Sequence, residues 1–222
     1  RVGIVGPRLY ADYVTSSAEQ KTVLLSDGST VFMNGNTALS AHLTGSERRL
    51  FLFEGQALFK VAKDASRPFI VEAGGGETRA IGTEFDIDIR PENVAVTVTE
   101  GIVSVSNSSK PIEQDSDGVR AVANQRVTYQ TDKTPSVPED IDAEMETAWL
   151  RGKLIFNSKP LGEVVAALSR YQSGKIFIAN SRLRSLNVTG VFDLTQPDTV
   201  LDTVEKTLPV TVTRMPFVTI LR

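Results

Sequence analysis

Residues 48–83 read RRLFLFEGQALFKVAKDASRPFIVEAGGGETRAIGT, and this stretch decides the fold class. Leu50 and Leu52, then Phe59 and Val61, then Phe69 and Val71 alternate with other residues between short polar breaks. Period-two alternation marks strands with one buried and one wetter face. Glu54-Gly55 bends the first run, Lys63-Asp64-Ala65-Ser66 breaks the second, and Gly74-Gly75-Gly76 ends the third. Successive short strands with local breaks predict an antiparallel meander, because parallel neighbours call for crossover helices.

Working upstream, Thr22–Leu25 and Thr30–Met33 flank Ser26-Asp27-Gly28-Ser29. Asp-Gly between apolar runs is a hairpin signal, since a tight primed turn needs positive φ. Asn34-Gly35 is read as a second turn, and residues 1–21 as a lead-in with one strand around Leu9–Val14. Downstream, Phe85, Ile87 and Ile89 alternate with Glu84, Asp86 and Asp88. Pro91-Glu92-Asn93 then turns the chain into Val94, Val96 and Val98, and Glu100-Gly101 leads on to Val103 and Val105. LFLFEGQALFKV and VTVTEGIVSVS thus share one plan, which predicts stacked sheets built of hairpins. Asn107–Gly118 reads as a polar loop, followed by strands near Val119–Val122 and Gln125–Tyr129.

Gln130–Glu146 is rich in acids and proline and has no apolar period, so it reads as a linker. Beyond it the period changes. Lys153–Phe156 is a strand, and Pro160 opens a helix with Leu161, Val164, Val165 and Leu168 at i, i+3, i+4 and i+7, which Gly174 ends. Ile176–Ile178 and Leu186–Phe192 are strands, and Pro197-Asp198 starts a helix striped by Leu201, Val204 and Leu208. Val210–Thr213 and Phe217–Leu221 close the chain. The fold expected is mainly β: an all-β antiparallel stacked-sheet or sandwich domain over 1–130, a linker over 131–148, and a smaller α+β module (β-α-β-β-α-β-β) over 149–222. Trp149, Leu154, Phe156, Leu161, Val165 and Leu168 are the expected core of that module.

Composition excludes more than it selects. The net charge is −3, which points to neither a nucleic-acid binder nor an acidic tail, and there is no cysteine for a disulfide, thiolate metal site or nucleophile. Charge is uneven along the chain: residues 1–148 balance at −8 and residues 149–222 at +5. No apolar run approaches the ~20 residues that span a bilayer. Since the chain starts at Arg1, it is expected to be an excised soluble part of something longer.

Few residues offer chemistry. His42 is the sole histidine and is read as a surface residue. Glu84, Asp86 and Asp88 share one strand face but lack the loop glycine and spacing of a calcium loop, so they read as a solvated acidic face. Gly74-Gly75-Gly76 lacks the helix and Lys-Ser/Thr of a phosphate loop and reads as a hairpin tip. Lys175, Arg182 and Arg184 are dispersed cations near a Phe177 expected to be buried, a poor nucleic-acid surface. No cofactor or metal site is predicted. Gly82-Thr83 reads from the residues alone as an ordinary turn between strands, although a threonine after a strained glycine can attack the preceding carbonyl in an N→O acyl shift.

LSDGSTVFMN, RAIGTEF and VTVTEGIVSV, together with the stretch quoted first, resemble the FecR family of sigma-factor regulators. WLRGKLIFNSKPLGEVVAALSRY (149–171) and VTGVFD (188–193) are similar to that family's second module, itself similar to the short domain shared by secretins and TonB-dependent transporters. Two positions depart: Gln56 stands where Glu is usual, and Asn124 where Gly is usual before Gln125. The resemblance implies the periplasmic part of a single-pass inner-membrane protein acting in cell-surface signalling and iron or siderophore uptake. Its partners would be the signalling domain of a TonB-dependent outer-membrane transporter and, through a cytoplasmic part and a transmembrane helix absent from this sequence, an extracytoplasmic-function sigma factor. Some members cleave themselves at a Gly-Thr pair that matches Gly82-Thr83, which makes an autoproteolytic module the alternative reading. A small sheet at the end of the second module must leave an edge unpaired, so Val210, Val212, Phe217 and Ile220 are the expected partner-binding residues.

Overall fold

Period-two alternation becomes strand after strand in the computed structural model, which describes residues 7–107, 118–131, 133–172 and 174–222. The chain divides into two units, Arg1–Ala143 and Glu144–Arg222. In the first unit the strands are β1 (Tyr13–Val14), β2 (Lys21–Leu24), β3 (Thr30–Met33), β4 (Ala38–Leu43), β5 (Arg48–Glu54), β6 (Gln56–Lys60) and β7 (Phe69–Ala73). They continue as β8 (Gly76–Ala80), β9 (Glu84–Ile89), β10 (Val94–Glu100), β11 (Ile102–Asn107), β12 (Val119–Val122), β13 (Gln125–Tyr129) and β14 (Glu139–Asp140). One sheet runs in the order β1-β4-β5-β7-β8-β11-β12, the other β14-β13-β10-β9-β6-β3-β2. Their inner faces share one core, in which Phe59 stacks on Phe85 with ring centroids 5.3 Å apart and meets Phe69 edge-on at 6.1 Å.

The expected meander is replaced by repeated exchange between the sheets. β5 lies in the first sheet, β6 in the second, and β7 returns to pair with β5 in parallel. A strand of the opposite sheet here does the work of a crossover helix. Three glycines make the corners. Gly55 (φ +89°) joins β5 to β6, Gly82 (φ +98°) joins β8 to β9, and Gly101 (φ +82°) joins β10 to β11, each joining different sheets. Positive φ is open to glycine at little steric cost. The Glu-Gly breaks are therefore sheet-switching bends rather than hairpin turns.

Gly74 and Gly75, both at positive φ, form the β7–β8 hairpin turn, whereas Gly76 belongs to β8 itself. A methyl on Gly76 would lie 2.2 Å from the Tyr129 ring, and the Tyr129 hydroxyl donates to the Ala73 carbonyl at 2.7 Å. This contact ties the hairpin of one sheet to β13 of the other, and burial pushes the Tyr129 phenol well above its ordinary value. Further differences from expectation are local. Pro7–Tyr10 is a 3-10 turn with Leu9 exposed, so the lead-in strand is only β1. The predicted linker contains β14, which pairs with β13, and α1 (Ala143–Glu146). Residues 108–117 of the polar loop lie outside the described residues.

The second unit contains a 3-10 turn (Ala148–Arg151), β15 (Lys153–Pro160), α2 (Leu161–Leu168), β16 (Lys175–Ile178), a 3-10 turn (Ser181–Ser185), β17 (Asn187–Asp193), α3 (Asp198–Thr207), β18 (Val212–Met215) and β19 (Val218–Leu221). β15 pairs with β17, and a second sheet runs β16-β19-β18 with β16 and β19 parallel. Leu161, Val164, Val165 and Leu168 of α2 and Val200, Leu201 and Val204 of α3 pack with Phe156, Phe192 and Leu221. Trp149 is buried but is not a member of this core, in contrast to expectation. α2 ends at Leu168, before Gly174, and Gly174 instead lets the backbone of Phe217 approach: an added methyl would lie 2.7 Å from its carbonyl oxygen.

Candidate functional site

The chain passes from one sheet to the other over Ile81-Gly82-Thr83, and this short corner carries the candidate chemistry. Gly82 holds φ +98°, and a methyl on it would fall 2.5 Å from Lys63 Cγ. Thr83 is fixed on both sides. Its carbonyl accepts the Val61 N–H at 2.9 Å, and its Cγ2 methyl packs so close to Gly101 that a Cβ there would lie 2.8 Å away. The Thr83 hydroxyl is buried and makes no hydrogen bond. Leaving a buried hydroxyl unsatisfied costs about 1–3 kcal/mol, so the feature asks for an explanation.

A cleft of about 280 Å³ opens on this corner, lined by Arg79, Ala80, Ile81, Gly82, Thr83, Gly101, Ile102, Ser104 and Arg120. Cross-strand pairing puts Arg79, Ser104 and Arg120 in one rung across β8, β11 and β12. Among the described residues the two arginines are the only charged ones in its lining, which favours a developing negative charge. Sequence reading found Gly82 and Thr83 but missed Arg79, Ser104, Gly101 and Arg120. Only the pairing of β8, β11 and β12 brings these together.

The other expected sites separate. His42 lies exposed on β4, away from this corner in the strand order. Asp86 and Asp88 are 2% and 7% exposed, so the face expected to be solvated is buried. They are neighboured there by Leu58, Ala95 and Thr97, which are also buried, and by polar partners that use the carboxylates. Asp86 accepts from Gln56 Nε2 at 3.0 Å, Gln56 Oε1 accepts from Asn34 Nδ2 at 2.9 Å, and Asp88 pairs with Arg90 at 2.7 Å. Glu84 accepts from the Thr99 hydroxyl at 2.9 Å. Among the described residues no set of three or more acids and histidines is arranged to hold a metal ion.

In the second unit, the side chains of Val210 and Val212 belong to the core, so at these positions only the backbone faces outward. Phe217 is 81% exposed in the β18–β19 turn, and Ile220 lies half-buried on the central strand. Phe177, expected to be buried, is half-exposed: Ile176 and Ile178 take the core side of β16, and Phe177 takes the opposite face. No helix among the described residues is long and apolar enough to cross a membrane.

Comparison with known proteins adds the context of the fold. Residues 11–104 match the family "FecR protein", and residues 153–216 match "FecR, C-terminal". Two crystal structures, each of a proposed anti-sigma factor from Parabacteroides distasonis ATCC 8503, are similar over nearly the whole chain. The first, at 25% identity, superposes with a TM-score of 0.82 and covers 95% of this chain and 97% of its own. The second, also at 25% identity, gives 0.80, with 94% and 96% covered. No curated protein matches the chain.

Proposed function

The chain belongs to the FecR family, a family of signalling regulators, and from that premise we propose that it is the periplasmic signal-receiving part of a transmembrane anti-sigma regulator. In this reading it relays occupancy of a TonB-dependent outer-membrane transporter to an extracytoplasmic-function sigma factor. The observation that carries the reading is the pairing of both family modules in one chain with whole-chain likeness to proposed anti-sigma factors. Residues 149–222 of the second unit are the receiver: they balance at +5, which favours an acidic partner and speeds encounter. Sigma-factor contact belongs to a cytoplasmic part outside these residues.

Calorimetric titration of the chain with the signalling domain of the transporter tests this, with hydrogen exchange locating the contact. Binding with protection within residues 149–222 is the expected result. Absence of binding, or protection confined to residues 1–148, overturns it.

A second reading concerns Gly82-Thr83 and is compatible with the first. The buried, unbonded Thr83 hydroxyl beside a positive-φ glycine favours a single self-cleavage. Thr83 Oγ attacks the Gly82 carbonyl carbon, the C–N bond breaks, and the hydroxyl proton passes to the Thr83 nitrogen. Water then hydrolyses the ester, leaving a carboxylate on Gly82 and restoring the hydroxyl. The other two corner glycines are followed by Gln56 and Ile102, which offer no nucleophile. Ladders β6–β9 and β8–β11 cross the cut, so the fragments should co-elute until denatured. Denaturing mass spectrometry should find pieces 1–82 and 83–222 whose masses sum to the chain plus one water. Thr83→Ala should abolish the break and Thr83→Ser should retain some; equal cleavage in wild type and Thr83→Ala would expose a contaminating protease.

A further inference from the structure

The small sheet of the second unit has two outer edges, and the structure treats them differently. β18 forms one. Thr211 exchanges both backbone bonds with Arg222, so alternation in an antiparallel pair leaves Val212 and Arg214 facing outward. Acidic side chains of α3 stand over it: Glu205 accepts the outward Val212 N–H at 2.8 Å, and Asp202 pairs with the guanidinium of the Arg214 side chain. That edge thus has one outward donor capped and two carboxylates beside it, which disfavour an acidic strand there.

β16 forms the other edge. The N–H groups of Lys175 and Ala179 donate to Phe217 and Leu221 carbonyls, each at 2.9 Å. In a parallel ladder the residues facing the partner alternate, so Phe177 also faces β19, and the N–H and C=O of Ile176 and Ile178 point away from it. Among the described residues no strand occupies that side. Phe177 stands half-exposed on one face of the strand, and Lys175, Arg182 and Arg184 lie exposed on β16 and the turn after it. The two-stranded sheet offers no equal. β15 is interrupted between Phe156 and Lys159 with Ser158 at positive φ, and β17 has no cation and ends in Asp193.

We propose that the outer edge of β16 is a strand-acceptor site for an acidic extended segment of another protein. The incoming strand pairs with the backbone of Ile176 and Ile178 and sets an apolar side chain against Phe177, while its carboxylates face Lys175, Arg182 and Arg184. A second copy of this chain is a poor occupant, because pairing β16 with β16 would bring two sets of these cations together. The inference deepens the reading of residues 149–222 as the receiving unit and rests on it for the existence of a partner. It replaces Val210 and Val212 as the docking residues.

The test uses the whole isotope-labelled chain and a synthetic peptide of alternating glutamate and valine, with a lysine–valine peptide as control. The acidic peptide should shift the amide resonances of Ile176, Phe177 and Ile178 and slow exchange of the Ile176 and Ile178 amides at least tenfold. The control should do neither. Ile178→Pro, which removes an outward N–H not used by β19, should weaken binding at least tenfold. Should that variant unfold, Lys175→Glu with Arg184→Glu keeps the question open to decision, since it should reverse the preference toward the lysine peptide. Equal response to both peptides, no response, or shifts centred on another edge strand overturns the proposal. If the transporter domain nevertheless protects residues 149–222, only the β16 site is refuted and the receiver reading stands.

Discussion

Arg48 is the largest fully buried side chain among the described residues, and replacing it should reveal what holds the irregular segment Ala62–Pro68. The guanidinium uses all five of its N–H donors. Nε donates to Arg67 O (3.1 Å), one terminal nitrogen to Asp27 Oδ2 (3.0 Å) and Ala62 O (2.9 Å), and the other to Asp64 O (3.3 Å) and Arg67 O (2.8 Å). Its plane also lies against Phe69, 5.4 Å from the ring centroid. Arg48→Met keeps most of the stem and removes every donor. The Asp27 carboxylate, 2% exposed, then keeps only the N–H and hydroxyl of Ser29. Breaking a buried pair by removing one partner costs about 3–5 kcal/mol. With a urea dependence of about 2 kcal/mol per molar, the midpoint should fall by about 1.5–2.5 M.

The pH dependence gives a sharper check. Burial pushes the Asp27 carboxyl up, but hydrogen bonds from Ser29 and Arg48 outweigh it and hold the group below its ordinary value. A carboxyl depressed in the folded state contributes stability that is present above the unfolded value, ~3.9, and lost as pH falls through the folded one. In Arg48→Met burial is no longer opposed by a cation, so the carboxyl should rise and the variant should gain from protonation. The gap between the two proteins should therefore narrow as pH falls from neutral toward the carboxylate range. Urea titrations followed by far-UV circular dichroism measure it; Trp149 fluorescence, from the other unit, serves as internal reference. Adding Asp27→Asn should recover part of the loss. A cost below about 1 kcal/mol, or a gap that ignores pH, would refute this account of the buried pair.

Two further changes test the buried polar face and the second core. Gln56→Glu places a second carboxylate within 3.0 Å of Asp86, so the pair must keep a proton and its folded-state pKa must rise. That stability is present below the unfolded value and lost as pH rises through the folded one; a shift on the order of two units makes the loss about 3 kcal/mol at neutral pH. Thermal unfolding at acid and neutral pH should show it, and equal losses at both would disprove the contact. Leu168→Ala removes a side chain with no exposure from the α2 stripe and should cost about 2–5 kcal/mol. A change under about half a kcal/mol in urea unfolding would mean the helix presents another face to the core.

Alternation made the strands legible and left their partners hidden. Leu50, Phe59, Phe69, Phe85 and Val96 each sit on a period-two run and each reaches the core, because a strand's side chains alternate whatever it pairs with. Pairing depends instead on how the chain leaves a strand. Gly55 and Gly101 carry the same local signal as a hairpin glycine, yet a Cβ on Gly55 would meet the backbone of Asn36 and Thr37 at 2.6 Å. That crowding comes from residues about twenty positions away, and no short window contains it. The same limit hid β8, whose Gly76-Glu77-Thr78-Arg79-Ala80 has no large apolar residue, and the burial of Asp86, whose partner Gln56 is thirty residues distant.

Gly82-Thr83 was legible as a dipeptide and not as a site, for the same reason. What distinguishes it from Gly55-Gln56 and Gly101-Ile102 is the coincidence of a sheet-switching bend, a hydroxyl in the next residue and a rung of arginines on neighbouring strands. The bend fixes φ, Gly101 leaves room for the Thr83 methyl, and the packing that buries the hydroxyl gives it no acceptor. A threonine in an ordinary hairpin would turn its hydroxyl to water or to a nearby carbonyl. Here the packing that closes the sandwich buries it without a partner, and the self-cleavage proposed above rests on that contrast.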